Sequence, residues 1–198
     1  MKTPFGTRRS VFAALCCIAA LGAGALHSHA ADVLQVVAKP GQATLVVNGT
    51  GVRRDAAAEL YRATLYMEHP TSDPAQVALI RGHAKFRVVL LKDARASQLT
   101  HLLTQGLVAN ASDDELITLV SEIFEVSMLL NEQGSLAAGD SIEVASHPAS
   151  GTTVSLHTAK PSAQSFANPL FFKVMMGVWL GKQPADPGLK RALLGQPS

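Results

Sequence analysis

Cysteine is confined to Cys16 and Cys17, both inside an apolar stretch near the N-terminus. Downstream of residue 30 there is no thiol, so a disulfide, a thiolate zinc ligand and a cysteine nucleophile are all excluded for that part of the chain. Charge and aromatic rings are scarce as well: 16% and 5% of 198 residues, against 47% hydrophobic, a balance that excludes a disordered chain and leaves ample material for a core. Beyond residue 30 the chain carries 14 basic and 15 acidic side chains, so this near-neutral part lacks the basic footprint of a nucleic-acid binder. It also lacks an apolar run of roughly 18 residues, and hence a membrane span after the leader. No G-x-S-x-G elbow, Walker loop or G-x-G-x-x-G occurs, since Asn48-Gly49-Thr50-Gly51 lacks both the length and the lysine. His69, His83, His101, His147 and His157 never pair at helical i, i+4 spacing and none stands beside a carboxylate cluster of ligand spacing, so neither a metal nor another cofactor is expected.

What is present begins with an export signal. Lys2, Arg8 and Arg9 form a positive n-region, Val11 to Leu26 an apolar h-region interrupted by Gly22 and Gly24, and Ser28-His29-Ala30 a small-x-small site before Ala31. Residues 1–30 therefore read as a cleaved signal peptide and residues 31–198 as one periplasmic or secreted domain. Thr7-Arg8-Arg9-Ser10-Val11-Phe12 also has the look of a twin-arginine signal, which leaves the export route open.

Short β-prone stretches are expected over 34–38 and 43–47, then a strand over 59–67 with Tyr61, Ala63, Leu65 and Met67 on one face. Between them, Asn48 to Arg54 reads as a glycine-rich turn leading to Arg53 and Arg54, which point to opposite sides. Its glycines would let a ligand approach the backbone, and an arginine at a sheet end can grip a carboxylate or enolate with two bonds. Phe86 to Leu91 is almost wholly apolar and predicts a strand covered on both faces. Helices are predicted to start at Asp73-Pro74, Asn168-Pro169 and Asp186-Pro187, each a capping side chain followed by a proline whose missing N–H costs nothing there. A capping box at Ser112 to Glu115 opens another, with Leu116, Val120, Ile123, Phe124 and Ser127 on its inner face, preceded by a helix carrying Leu99, Leu102, Leu103, Gly106 and Leu107. A hairpin is expected over 140–158 about Pro148 to Gly151, and Leu170 to Leu180 predicts a deeply buried helix with Trp179 inside it. The order implies an α+β fold, helices on one face of a mainly antiparallel sheet.

Several segments together carry a family resemblance. Gly49-Thr50-Gly51-Val52-Arg53 with Leu60 to Tyr66, Lys85-Phe86, Gln105 to Asn110, Leu136-Ala137-Ala138-Gly139-Asp140 and Trp179-Leu180-Gly181-Lys182-Gln183-Pro184 before Leu189-Lys190 resemble, in order and spacing, the chalcone isomerase-like family, in particular its exported bacterial branch. The resemblance implies an open-faced β-sandwich of the chalcone isomerase type, with a cleft between sheet and helices. In plant members that cleft closes a chalcone into a flavanone, assisted by an arginine, a threonine, a lysine, a tyrosine and an asparagine. In fatty-acid binders of the fold the arginine holds the carboxylate. Carried onto this chain, Arg53 matches the arginine and Lys92 the lysine across a small gap, Tyr61 stands at the threonine's position, Gly106 at the asparagine's, and no tyrosine falls at Leu99 to His101. The anion-holding half is retained and the reacting half is largely missing.

That pattern implies a non-catalytic binder of a small amphipathic anion such as a fatty acid, with Arg53 and Tyr61 as ligand contacts and apolar side chains as the wall. An isomerase or intramolecular lyase would instead use Arg53 for an enolate, with Tyr61, Lys92 or His101 as further catalytic candidates. A third class is a structural or partner-binding protein whose cleft is merely core. The sequence assigns no oligomeric state. The exported protein should begin at Ala31, and N-terminal sequencing that still finds Met1 would refute the leader.

Overall fold

The computed structural model describes residues 43–55, 58–80 and 82–197. The leader, its cleavage site and the strand expected over 34–38 lie outside them. Inward-facing apolar residues at every second position make the strands β2 (Ala58–Met67) and β3 (Ala84–Leu90), and pairing extends the set to β1 (Val46–Asp55), β6 (Ser141–His147), β7 (Gly151–His157) and β8 (Ser162–Phe166). They form one antiparallel sheet in the order β1-β2-β3-β6-β7-β8. The helices α1 (Pro74–Ala78), α2 (Ala96–Asn110), α3 (Asp113–Thr118), α4 (Val120–Asn131), α5 (Leu170–Leu180) and α6 (Pro187–Leu193) complete an α+β fold, and β4 (Ala94–Arg95) pairs with β5 (Ser135–Leu136) beside it.

Local chemistry places the helix starts. Asp73 and Asp186 each accept a bond from a backbone N–H of the first turn, with proline at the next position, and Asn168 accepts from the Leu170 N–H at 3.0 Å. Ser112 and Glu115 close a reciprocal capping box on α3. β8 was not expected, because Ser-Ala-Gln-Ser-Phe has little apolar alternation; its pairing with β7 holds it in place.

The core lies between the sheet and the helices. Tyr61, Ala63, Leu65 and Met67 of β2, Phe86, Val88 and Leu90 of β3, and Val154 and Leu156 of β7 are buried. The expectation that β3 is covered on both faces is corrected: Arg87 is exposed and Lys85 and Val89 are half-buried. An antiparallel sheet can leave one face to water, and this one does. Buried at seven of its eleven positions, α5 keeps Lys173 exposed and Trp179 only partly buried, so the tryptophan is less enclosed than an all-apolar helix suggests.

The face predicted for the third helical segment is also corrected. Leu119, wholly buried, turns the chain between α3 and α4, and Leu119, Val126 and Leu130 point inward, with Leu116 and Ile123 half-buried. Val120 and Phe124 are 63% and 65% exposed. The sequence there offers two apolar stripes, and burial of Leu119 selects one of them.

Residues 48–54, read as a turn, are the middle of β1. The glycines serve α6, which lies directly on this strand. A Cβ at Gly49 would collide with the Ala192 and Leu193 carbonyl oxygens, and one at Gly51 would meet Ala192 Cβ at 2.8 Å and Leu189 Cδ1 at 2.9 Å. Asn48 fastens the same seam, its Nδ2 donating to the Leu193 carbonyl at 2.7 Å and the Thr71 carbonyl at 3.0 Å.

These contacts give glycine substitutions opposite signs. Gly49→Ala forces backbone apart and should destabilise by about 1–3 kcal/mol or more, as overpacking does. Gly177→Ala, in the interior of α5, meets only Asn110 Cβ at 3.5 Å, an ordinary contact, and should stabilise by about 0.5–1 kcal/mol. Urea unfolding of both variants checks the pair, and equal effects would refute the seam.

Candidate functional site

Two residues beyond Gly51 on the same face of β1, Arg53 stands opposite Tyr61 of β2. Its guanidinium carbon lies 5.9 Å from the Tyr61 ring centroid, within range of a cation–π contact. A register shift separates Arg53 from Arg54, which is exposed and donates to Glu59 Oε1 at 2.6 Å. The two adjacent arginines thus have different environments: Arg54 has a surface carboxylate, whereas none of the ion pairs among the described residues involves Arg53.

Arg53 borders a cavity of about 70 Å³ between the sheet and α2, α4 and α5. Its wall is apolar: Phe86, Val88 and Val144 from the sheet, Leu99, Leu102 and Leu103 from α2, and Met175 from α5 are among the lining groups. Among the described residues, polar side chains enter from Arg53, Tyr61 and Trp179. Tyr61 is 5% exposed, and its hydroxyl oxygen accepts the Trp179 Nε1–H at 2.9 Å. A phenol oxygen that accepts this bond still has its own proton to give. Trp179 is braced on the other side by Phe86, ring centroids 4.4 Å apart. The arrangement is a guanidinium and a held phenol at the rim of an apolar space, suited to a carboxylate or enolate with a hydrocarbon body behind it.

Of the residues singled out from sequence, the cavity brings together Arg53 and Tyr61. Lys92 is exposed and borders a separate, much smaller space that Tyr61, Leu99 and Leu102 also line. His101 is exposed on α2 and does not line the cavity. Gly106, at the position of the family's asparagine, faces Val178 of α5, where any side chain would clash. The sequence reading treated Trp179 as core and missed its bond to Tyr61. The signal lay in its place at the head of the Trp-Leu-Gly motif, one residue before the end of a helix that otherwise offers no polar atom to the cavity.

The remaining motif residues hold the walls. Asn110 Nδ2 donates to the Gly106 and Gln183 carbonyls at 2.9 and 2.8 Å while its Oδ1 accepts the Gln183 N–H at 2.8 Å, tying the end of α2 to the loop after α5. Lys190 Nζ donates to the Gly181 carbonyl at 2.7 Å, joining α6 to the same loop. Asp140 Oδ2 accepts the Ala137 N–H at 2.8 Å across a turn in which Gly139 has φ 95°.

A family model described as chalcone isomerase-like matches residues 29–195. Among solved structures, the crystal structure of a fatty-acid binding protein of Arabidopsis thaliana is similar at a TM-score of 0.57 and 10% identity, covering 76% of this chain and 86% of that one. At that identity the likeness is one of fold. No curated protein matches the chain.

The Tyr61–Trp179 bond can be measured. Tyr61→Phe leaves the indole N–H without its partner and should cost about 1 kcal/mol. Trp179→Phe should cost more through lost packing. A double-mutant cycle should give a coupling of about 0.5 kcal/mol or more, and strictly additive losses would show that the bond contributes nothing.

Proposed function

The chain belongs to the chalcone isomerase-like family, and from that membership we propose that it is an exported binder of a small amphipathic anion, a fatty acid being the best-fitting chemistry, and not a cyclase. The observation that carries this reading is Arg53: a cation at the rim of an apolar cavity, with no ion-pair partner among the described residues. Arg53 is half-buried, and a cation partly withdrawn from water gains from an anion that completes it. Tyr61 adds a phenol proton on the same side. The fatty-acid binding protein of the same fold supports the ligand class, and the leader of residues 1–30 supports export.

The cavity also bears on how a ligand enters. At about 70 Å³ it is well below the roughly 300–1,000 Å³ of pockets that enclose drug-sized ligands. An acyl chain of more than a few carbons is therefore admitted by displacing Leu99, Leu102 and Leu103, the half-buried side chains of α2 that form one wall. Among Leu99 to His101, where the family's tyrosine would fall, there is no tyrosine, and only Leu99 of the three lines the cavity. Lys92 and His101 stand outside the cavity. Of the two groups that would hold water at a reacting ketone, the tyrosine is thus missing and the threonine is exchanged for Tyr61, whose hydroxyl is engaged by Trp179, and an electrostatic contribution requires donors placed where charge develops.

Titration calorimetry of delipidated protein with medium-chain and long-chain fatty acids, beside a chalcone cyclisation assay, tests the reading. Arg53→Ala should lose about 30-fold or more in affinity, the order of 2–4 kcal/mol for removing one partner of a partly dry charge pair. Arg53→Lys should also bind more weakly, because an ammonium lacks the planar fork. Arg54→Ala should change affinity little, since an exposed arginine gains at most about 1 kcal/mol from an anion. Equal affinities for wild type and Arg53→Ala would refute the anion site, and chalcone turnover would favour an isomerase using Arg53 and Tyr61.

A further inference from the structure

The outward face of α3 and α4 carries a line of large apolar side chains in solvent. Ile117 is 72% exposed, Val120 63%, Phe124 65% and Met128 44%. Scattered apolar residues on a surface are ordinary, whereas a contiguous stripe marks a contact surface. Val120, Phe124 and Met128 are spaced four apart on one helix, a row about 12 Å long. The core makes no use of this row, because α4 is anchored by Val126 and Leu130 on its other side.

Charge selects what can cover it. From Ala96 to Ala159 the sequence contains no lysine or arginine and eight acidic residues: Asp113, Asp114, Glu115, Glu122, Glu125, Glu132, Asp140 and Glu143. Glu125 and Glu132, seven apart on or just beyond α4, form an exposed acidic row alongside the apolar one. Glu125 is steadied at that edge by Gln164 of β8, whose Nε2 donates to its Oε2 at 2.9 Å. Lys173 of α5, a nearby cation, is already engaged with Glu115 at 2.8 Å. Among the described residues no ion pair involves Asp113, Asp114, Glu125 or Glu132. A bilayer with anionic headgroups is repelled by such a border. A second copy meeting this face through a two-fold axis would bring acidic rows together.

We propose that this face binds a basic amphipathic helix of a partner protein. Apolar side chains three and four apart on that helix would seat on Val120, Phe124 and Met128, and its lysines or arginines would face Glu125 and Glu132. This is helix-on-helix recognition with charged flanks setting the partner's sign. The proposal is independent of what the cavity holds.

A synthetic helical peptide of leucine and lysine, about 18 residues long with leucine on one face, is the probe, titrated into the full-length mature protein by calorimetry at low and high salt. Binding should weaken several-fold at high salt. It should fall at least tenfold in Phe124→Ser and in the double variant Glu125→Lys, Glu132→Lys. Both alter exposed positions, and unchanged melting and circular dichroism would show that the fold persists. Four results would each overturn the proposal: equal binding of a scrambled peptide of the same composition; equal binding of a leucine–glutamate peptide; concentration-dependent dimerisation abolished by Phe124→Ser; or Phe124-dependent adsorption to phosphatidylethanolamine–phosphatidylglycerol vesicles.

Discussion

A helix with a single charged side chain, Lys173, must be covered on nearly every side, and α5 imposes that demand on the rest of the molecule. The sheet covers it through β6 and β7, while α1, α2 and α6 pack round its remaining sides. Its burial draws α2 so near that Gly106 must lack a side chain opposite Val178. It also fixes where the cavity lies, since Met175, Val178 and Trp179 line it. Apolar burial of this extent is the dominant favourable term in folding, and the few polar bonds around α5 steer the geometry that burial makes stable.

The chain's motifs divide into those that shape and those that touch. Asn110, Gly139, Asp140 and Lys190 connect loops and helix ends, and Gly49 and Gly51 admit α6 to the strand. Among the described residues, Arg53, Tyr61 and Trp179 are the side chains that bring polar atoms to the cavity. A likeness spread over so many architectural residues transmits the fold faithfully and the chemistry loosely.

The helix starts and the inner face of β2 were legible in the sequence, because capping chemistry and period-two burial are local rules. What could not be read was decided by contacts distant in sequence. Gly49-Thr50-Gly51 has the composition of a turn, yet it pairs with β2 as a strand, and its glycines answer to α6, some 140 residues on. Val120 and Phe124 belong to an apolar stripe as regular as the one that is buried, and the choice rests with Leu119 in the core. β3 looks doubly covered because Val89 is apolar, yet among the described residues its outer side stays half-buried at Lys85 and Val89 and exposed at Arg87. The site was half legible: charge and position singled out Arg53 and Tyr61, while Trp179, Leu99, Leu102 and Leu103 looked like ordinary core.

The seam between β1 and α6 bears on the order of folding. Asn48 and Leu193 are 145 residues apart and bonded at 2.7 Å, so the first described strand is completed by the last described helix. A chain synthesised from its N-terminus holds β1 ready long before α6 exists, with the glycine-lined face of that strand uncovered. Closing so long a loop demands chain entropy before any contact rewards it, and native contacts of high sequence separation slow folding. Docking of this seven-residue helix onto two glycines is thus a long-range closure, and until it occurs the apolar side of α6 and the glycine-lined face of the strand bearing Arg53 both lack their cover.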